Sequence, residues 1–77
     1  MPLITDATNT WSAPVTLTGD EVWQARREGV FLATTASPGP DDGLLLRDGA
    51  AVQFSAGRSV RYRLAGRNPA LIAREAV

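Results

Sequence analysis

Two adjacent carboxylate pairs, Asp20-Glu21 and Asp41-Asp42, and a run of arginines, Arg58, Arg61, Arg63 and Arg67, are the residues with chemical potential in this chain. General acid–base work at neutral pH most often uses histidine, and the sequence has none. No G-x-S-x-G elbow is present, and the glycines stand singly, so neither a nucleophile nor a phosphate-cradling loop is suggested. Each carboxylate pair sits beside glycine, in the setting of turn chemistry and solvation. The PGPDDG segment at 38–43 does not supply the oxygen ligands and closing glutamate of a calcium loop. Without Cys or His a structural zinc site is not expected. The reading is of a chain that is not an enzyme, with no cofactor and no metal.

The charges are arranged by sign. Eight arginines balance eight acids, with no lysine. Arg58, Arg61, Arg63 and Arg67 fall within ten residues that contain no acid, while Asp41, Asp42 and Asp48 precede them. A neutral chain is poorly suited to holding nucleic acid, because that binding neutralises phosphates. A solvated strand face is the plain account of the arginines. The functional one is a self-complementary interface, in which Arg of one subunit meets Asp of the next. Exposed pairs are worth only about 0–1 kcal/mol each, so they would set register more than affinity.

These residues hang on the stretch Gly43–Leu64, GLLLRDGAAVQFSAGRSVRYRL. Asp48-Gly49 and Ala56-Gly57 separate three apolar runs, Leu44–Leu46, Val52–Phe54 and Val60–Leu64. The last alternates strictly, as a half-buried strand does. Val15–Thr18 and Val30–Thr35 are rich in β-branched residues and also read as strands. Glu21–Arg27 has a helical option through a Thr18/Glu21 capping box. Seven residues ended by Gly29 make a marginal helix, so a strand is expected. Ala70–Ala76 is ambiguous in composition. It is taken as a strand returning in a hairpin from the run before it. Ser37–Gly43 is a loop, since its prolines and glycines break regular elements.

The outcome is an all-β domain over residues 15–77, an antiparallel sandwich or barrel of about seven short strands, preceded by an extended arm over residues 1–14. The 77 residues bury only roughly 60% of their unfolded surface. A domain this small usually needs a disulfide, a metal or a partner, and with no cysteine the partner is what is left. Phe31, Phe54 and Tyr62 are expected in the core. Trp11, in the arm, and Trp23, on an expected edge, are candidates for contact with other chains, because Trp is enriched at binding hot spots. Leu3 and Ile4 are grouped with Trp11, and packing of the arm on its own domain stands as the equal alternative. Trp23 and Tyr62 are also the residues a sugar- or small-ligand-binding face would use. The apolar runs are too short to span a membrane, and no signal-peptide pattern is found at the N-terminus.

Two resemblances bear on function. The pattern G-x-L-L-x-x-G-x-x-V-x-F-x-x-G from Gly43 to Gly57 resembles the strand and turn rhythm of cupin-like jelly rolls. Cupins bind metal through His and Glu, so with no His that likeness implies architecture alone. The second runs from Val15 to Val77. Gly19–Thr35 (GDEVWQARREGVFLATT), the Pro/Gly/Asp loop, Gly43–Gly49 (GLLLRDG), Phe54–Gly66 (FSAGRSVRYRLAG) and Ala70–Val77 (ALIAREAV) resemble small all-β proteins encoded among the head and tail genes of tailed bacteriophages and gene transfer agents. That resemblance implies a virion protein made in the host cytoplasm. Its commonest role would be a decoration, or cement, protein bound to the major capsid protein, often as a trimer. Tail, collar and spike-base components are the alternatives it implies.

Overall fold

Alternation decides this fold. In Glu21–Arg27, residues 21, 23 and 25 point inward and 22 and 24 outward, which is the period-two pattern of a strand with one buried face. The computed structural model describes residues 3–39 and 41–77, and these form eight strands. They are β1 (Leu3–Ile4), β2 (Val15–Thr16), β3 (Glu21–Arg27), β4 (Val30–Ala33), β5 (Leu44–Leu46), β6 (Ala51–Phe54), β7 (Ser59–Leu64) and β8 (Leu71–Ala76). One four-stranded sheet has the order β1-β8-β3-β6 and the other β2-β7-β4-β5. All pairings are antiparallel. Among the described residues no helix is long and apolar enough to cross a membrane.

The all-β expectation holds, and β3 and β5 fall on the expected residues. The connections differ from those expected. Among the described strands, β4 and β5 are the one consecutive pair that hydrogen-bond to each other. β8 does not form a hairpin with β7; it crosses to the other sheet and lies between β1 and β3. The reversals at Asp48-Gly49 and Ala56-Gly57 likewise carry the chain from one sheet to the other. Gly49 and Gly57 have φ of 90° and 88°, so the expected turn chemistry is present although the turns do not join paired strands.

The inner faces meet in one core. Trp23, Ala25, Phe54 and Ile72 come from the first sheet, and Val30, Leu32, Leu46, Val60, Tyr62 and Leu64 from the second. The Trp23 ring meets Phe54 edge-on, with centroids 5.8 Å apart, and reaches Tyr62 across the core at 6.4 Å. Trp23 is therefore not an edge residue. β3 lies between β8 and β6, and the side chain is 0% exposed. Phe54 and Tyr62 are buried as expected. Phe31 is half-buried instead, because its position on β4 points away from the core.

Met1, Pro2 and Pro40, part of the expected arm and loop, lie outside the described residues. From Leu3 on, the N-terminal segment lies against its own domain. Leu3 and Ile4 pair with Ala73 and Ile72 of β8. The Leu64 amide then donates to the Thr8 carbonyl at 2.7 Å, and the Ser12 amide to the Tyr62 carbonyl at 2.9 Å. The segment thus runs along β7 ahead of β2. It satisfies backbone groups that an open sheet edge would leave bare.

Candidate functional site

The charged and aromatic residues singled out above separate into two sets. Trp11, Arg61 and Arg63 come together on the outer face of the second sheet. Arg61 and Arg63 point outward from β7, as strand alternation requires. Arg61 Nη1 donates to the Ser12 carbonyl at 3.1 Å. The Arg63 guanidinium lies between two rings, 4.2 Å from the Phe31 centroid and 5.0 Å from that of Trp11. Trp11 Nε1 donates to the Gly39 carbonyl at 3.0 Å. These cations hold the N-terminal segment down on its own domain through cation–π and backbone contacts.

Arg58 and Arg67 do not join them. They are exposed at opposite ends of β7, so the four arginines do not form one patch. Asp42 accepts the Gly39 amide at 2.7 Å and closes the turn before β5. Asp41 and Asp48 are exposed on either side of β5. Of the leading residues, Leu3 is 47% exposed on edge strand β1, and Ile4 is packed against the core.

Two polar arrangements escaped the sequence reading. Glu21 is buried at the end of β3, where Arg74 of β8 grips it with Nε–Oε1 at 2.9 Å and Nη2–Oε2 at 3.0 Å. Trp23 Nε1 adds a 3.1 Å bond to Oε1. The bidentate Arg74 contact holds the Glu21 carboxyl below the usual glutamate range, against the opposing effect of burial. The Tyr62 hydroxyl donates to Asp6 Oδ1 at 2.7 Å. Burial first, then this bond and the Asp6 charge, push the Tyr62 phenol up to about 12. Both groups tie strands and segments together. Trp23 and Tyr62 are buried, so together they present no outer platform to a sugar. Among the described residues no three of His, Cys, Asp and Glu gather as a metal site.

Among the described residues, β5 is the outermost strand that carries two adjacent exposed leucines. It is the last strand of its sheet. Leu44 is 56% and Leu45 45% exposed. Three leucines in a row cannot all face inward in a strand, and this was the available signal in the sequence. Leu46 takes the core position opposite Val30, and Leu45 pairs with Phe31 on the outer face. Leu44 sits opposite Leu32 at the open side of the sandwich, where with Phe54 it borders a hollow of about 290 Å³. Leu45 borders a second hollow of about 530 Å³ with Phe31, Arg47, Asp48 and Glu28.

The backbone of β5 is equally open. The Gly29 carbonyl accepts the Ala65 amide at 3.2 Å, so residue 29 faces β7. By alternation Val30 and Leu32 turn their backbone groups to β5, where they meet Leu46 and Leu44. The N–H and C=O of Leu45 therefore point away from the sheet. An unpaired strand edge between two hollows, with leucines on both sides, is suited to accepting another strand. Compared with protein-family models, with curated proteins and with solved structures, the chain matches none of them.

Proposed function

We propose that this chain is a structural component of a virion, of the decoration type, that acts by binding other protein chains. The observation that carries the reading is the β5 edge: exposed Leu44 and Leu45 beside an outward-facing Leu45 backbone. Such edges template pairing with other chains, and soluble proteins usually blunt them. Here only the flanks are charged, with Asp41 and Asp42 before the strand and Arg47 and Asp48 after it. Charged flanks suppress indiscriminate aggregation while leaving the leucines available.

The strand order supports a finer architectural reading. Eight strands in the orders 1-8-3-6 and 2-7-4-5, with nearly every link crossing between sheets, are what a double Greek-key jelly roll would have. Capsid domains use that architecture, and so do lectins and cupins, so the order fits a virion role without selecting it. What favours the virion reading among these is the resemblance of residues 15–77 to proteins of phage head and tail genes. The major capsid protein is the partner proposed, in a particle whose repeated sites raise the effective strength of a small contact.

Mass spectrometry of particles purified from the organism that carries the gene tests this reading. The chain should be present in stoichiometric amount in intact particles, and a Leu45→Lys variant with an unchanged melting temperature should be depleted from them. Particles that lack the chain would end the virion reading.

A further inference from the structure

We propose that residues 3–12 form a strap that opens as one unit about Ala13-Pro14 while the sandwich beneath it stays folded, and that opening bares the edge of β7 at Tyr62 and Leu64. This holds whether or not the chain belongs to a virion.

Burial separates the strap from the core. None of residues 3–14 is fully buried, and the first described residue that is, Leu17, comes after β2. The core cluster draws its members from Leu17 to Ile72, and the strap adds only Ile4 and Ala7 at its margin. What the strap has instead is hydrogen bonds. β1 pairs with β8 at one side of the first sheet. The chain then crosses to the second sheet, where Asp6 accepts the Tyr62 hydroxyl. Along β7 the Leu64 amide donates to the Thr8 carbonyl, the Ser12 amide to the Tyr62 carbonyl, and the Tyr62 amide to Ser12 Oγ at 3.0 Å. The strap thus closes one side of the sandwich across both sheets. A segment with few buried apolar contacts and hydrogen bonds near solvent opens at lower cost than the whole domain.

The hinge and the anchor are also in place. Ala13 and Pro14 are exposed, and Pro14 has no N–H to leave unpaired when the chain swings. Beyond them Val15 pairs with Val60 and packs against the core, so β2 stays with the sandwich. Trp11 fastens the strap through its bond to Gly39 and its ring beside Arg63. Alternation along β7 decides what opening exposes. The backbone of Arg61 and Arg63 turns to β4, and that of Tyr62 and Leu64 turns to the strap. With the strap lifted, the second pair meets solvent while the first stays bonded. A blunted sheet edge becomes an open one, and Trp11 no longer covers Gly43 at the start of β5.

Native-state hydrogen exchange of the full chain, followed amide by amide in low urea, tests the strap. The amides of Ser12, Tyr62 and Leu64 should share one opening free energy, lower than that of Arg61 and Arg63. It should change little with urea, because the strap uncovers little surface. Two substitutions separate strap from sandwich. Leu46 is a core residue on β5, the strand of its sheet farthest from the strap. Leu46→Val, with a melting curve to show that it is folded, should lower protection at Arg61 and Arg63 several-fold and leave Tyr62 and Leu64 unchanged. Trp11→Ala should lower protection at Ser12, Tyr62 and Leu64 together by about thirtyfold. Tyr62 and Leu64 amides that lose protection in urea as steeply as Arg61 and Arg63, or that follow them in Leu46→Val, would show that the segment opens only with the whole domain. Unrelated opening free energies at Ser12 and Leu64 would show that it is not one unit. Either result overturns the proposal.

Discussion

Trp11 lies over Gly43 so closely that the glycine has no room for a side chain: its Cβ would stand 2.8 Å from Trp11 Cη2 and 2.9 Å from the Leu32 carbonyl oxygen. This contact links the N-terminal segment to the start of β5. It places the clamp that holds residues 8–12 on the same face as the proposed docking edge. Gly43 also has φ of 105°, where side chains are strained. Gly43→Ala should therefore destabilise the protein by about 2 kcal/mol. Urea unfolding measures this, and a change below a few tenths of that figure would show that the contact yields freely.

Trp11→Ala removes the indole bond to Gly39, the stacking on Arg63 and the cover over Gly43. A loss of about 2 kcal/mol is expected, less than for a fully buried Trp because Trp11 is only half-buried. Limited proteolysis should then cut within residues 5–14 well before the rest of the chain. Cleavage rates equal to the unaltered protein's would contradict the clamp.

Glu21 makes the acid limb of stability. Its carboxyl is held below the ordinary value of 4.5 by Arg74. The stabilisation is present above that value and is lost as pH falls through the folded-state value. Glu21→Ala strands Arg74 and the Trp23 N–H, and should cost about 3 kcal/mol at pH 7. Glu21→Gln keeps the shape and should flatten the acid limb of a melting-temperature profile. A profile of unchanged slope below pH 4.5 would show that other carboxylates govern acid unfolding.

Tyr62 makes the alkaline limb. Its phenol is raised from 10.0 to about 12 in the folded protein, so the folded state keeps the proton longer than the unfolded chain. That contribution is complete below pH 10 and is lost as pH rises from 10 towards 12. Tyr62→Phe removes the bond to Asp6 at a cost of about 1 kcal/mol near neutrality and should weaken the alkaline loss. Ultraviolet titration of the single tyrosine checks the shift directly, and an ordinary titration near 10 would contradict the burial of the phenol and its bond to Asp6.

Much of the fold was legible residue by residue, and little of its connectivity was. Alternation in Val60–Leu64 located β7, and the triple leucine located β5, because a strand's face pattern is written locally. Asp48-Gly49 and Ala56-Gly57 marked reversals, yet a turn residue reports that the chain bends and not which strand it bends towards. The hairpin expected between β7 and β8 failed for this reason. Trp23 was misplaced because the residues of β3 do not say which strands flank it: β8 and β6, from distant parts of the chain, make it a central strand, and its inward face includes the charge of Glu21. Arg74, fifty-three residues away, makes its burial tolerable. Arg61 and Arg63 were rightly placed on an outer face, but their partners, Ser12, Trp11 and Phe31, come from distant parts of the chain.

Hydrogen exchange at the Leu45 amide tests the central claim, that the β5 edge is an open protein-binding strand. In dilute solution that amide should exchange fast, while those of Leu44 and Leu46, turned to β4, are protected. In purified particles the Leu45 amide should slow by an order of magnitude or more. A Leu45 amide as protected as its neighbours in dilute solution, or equally fast free and in particles, would contradict the account.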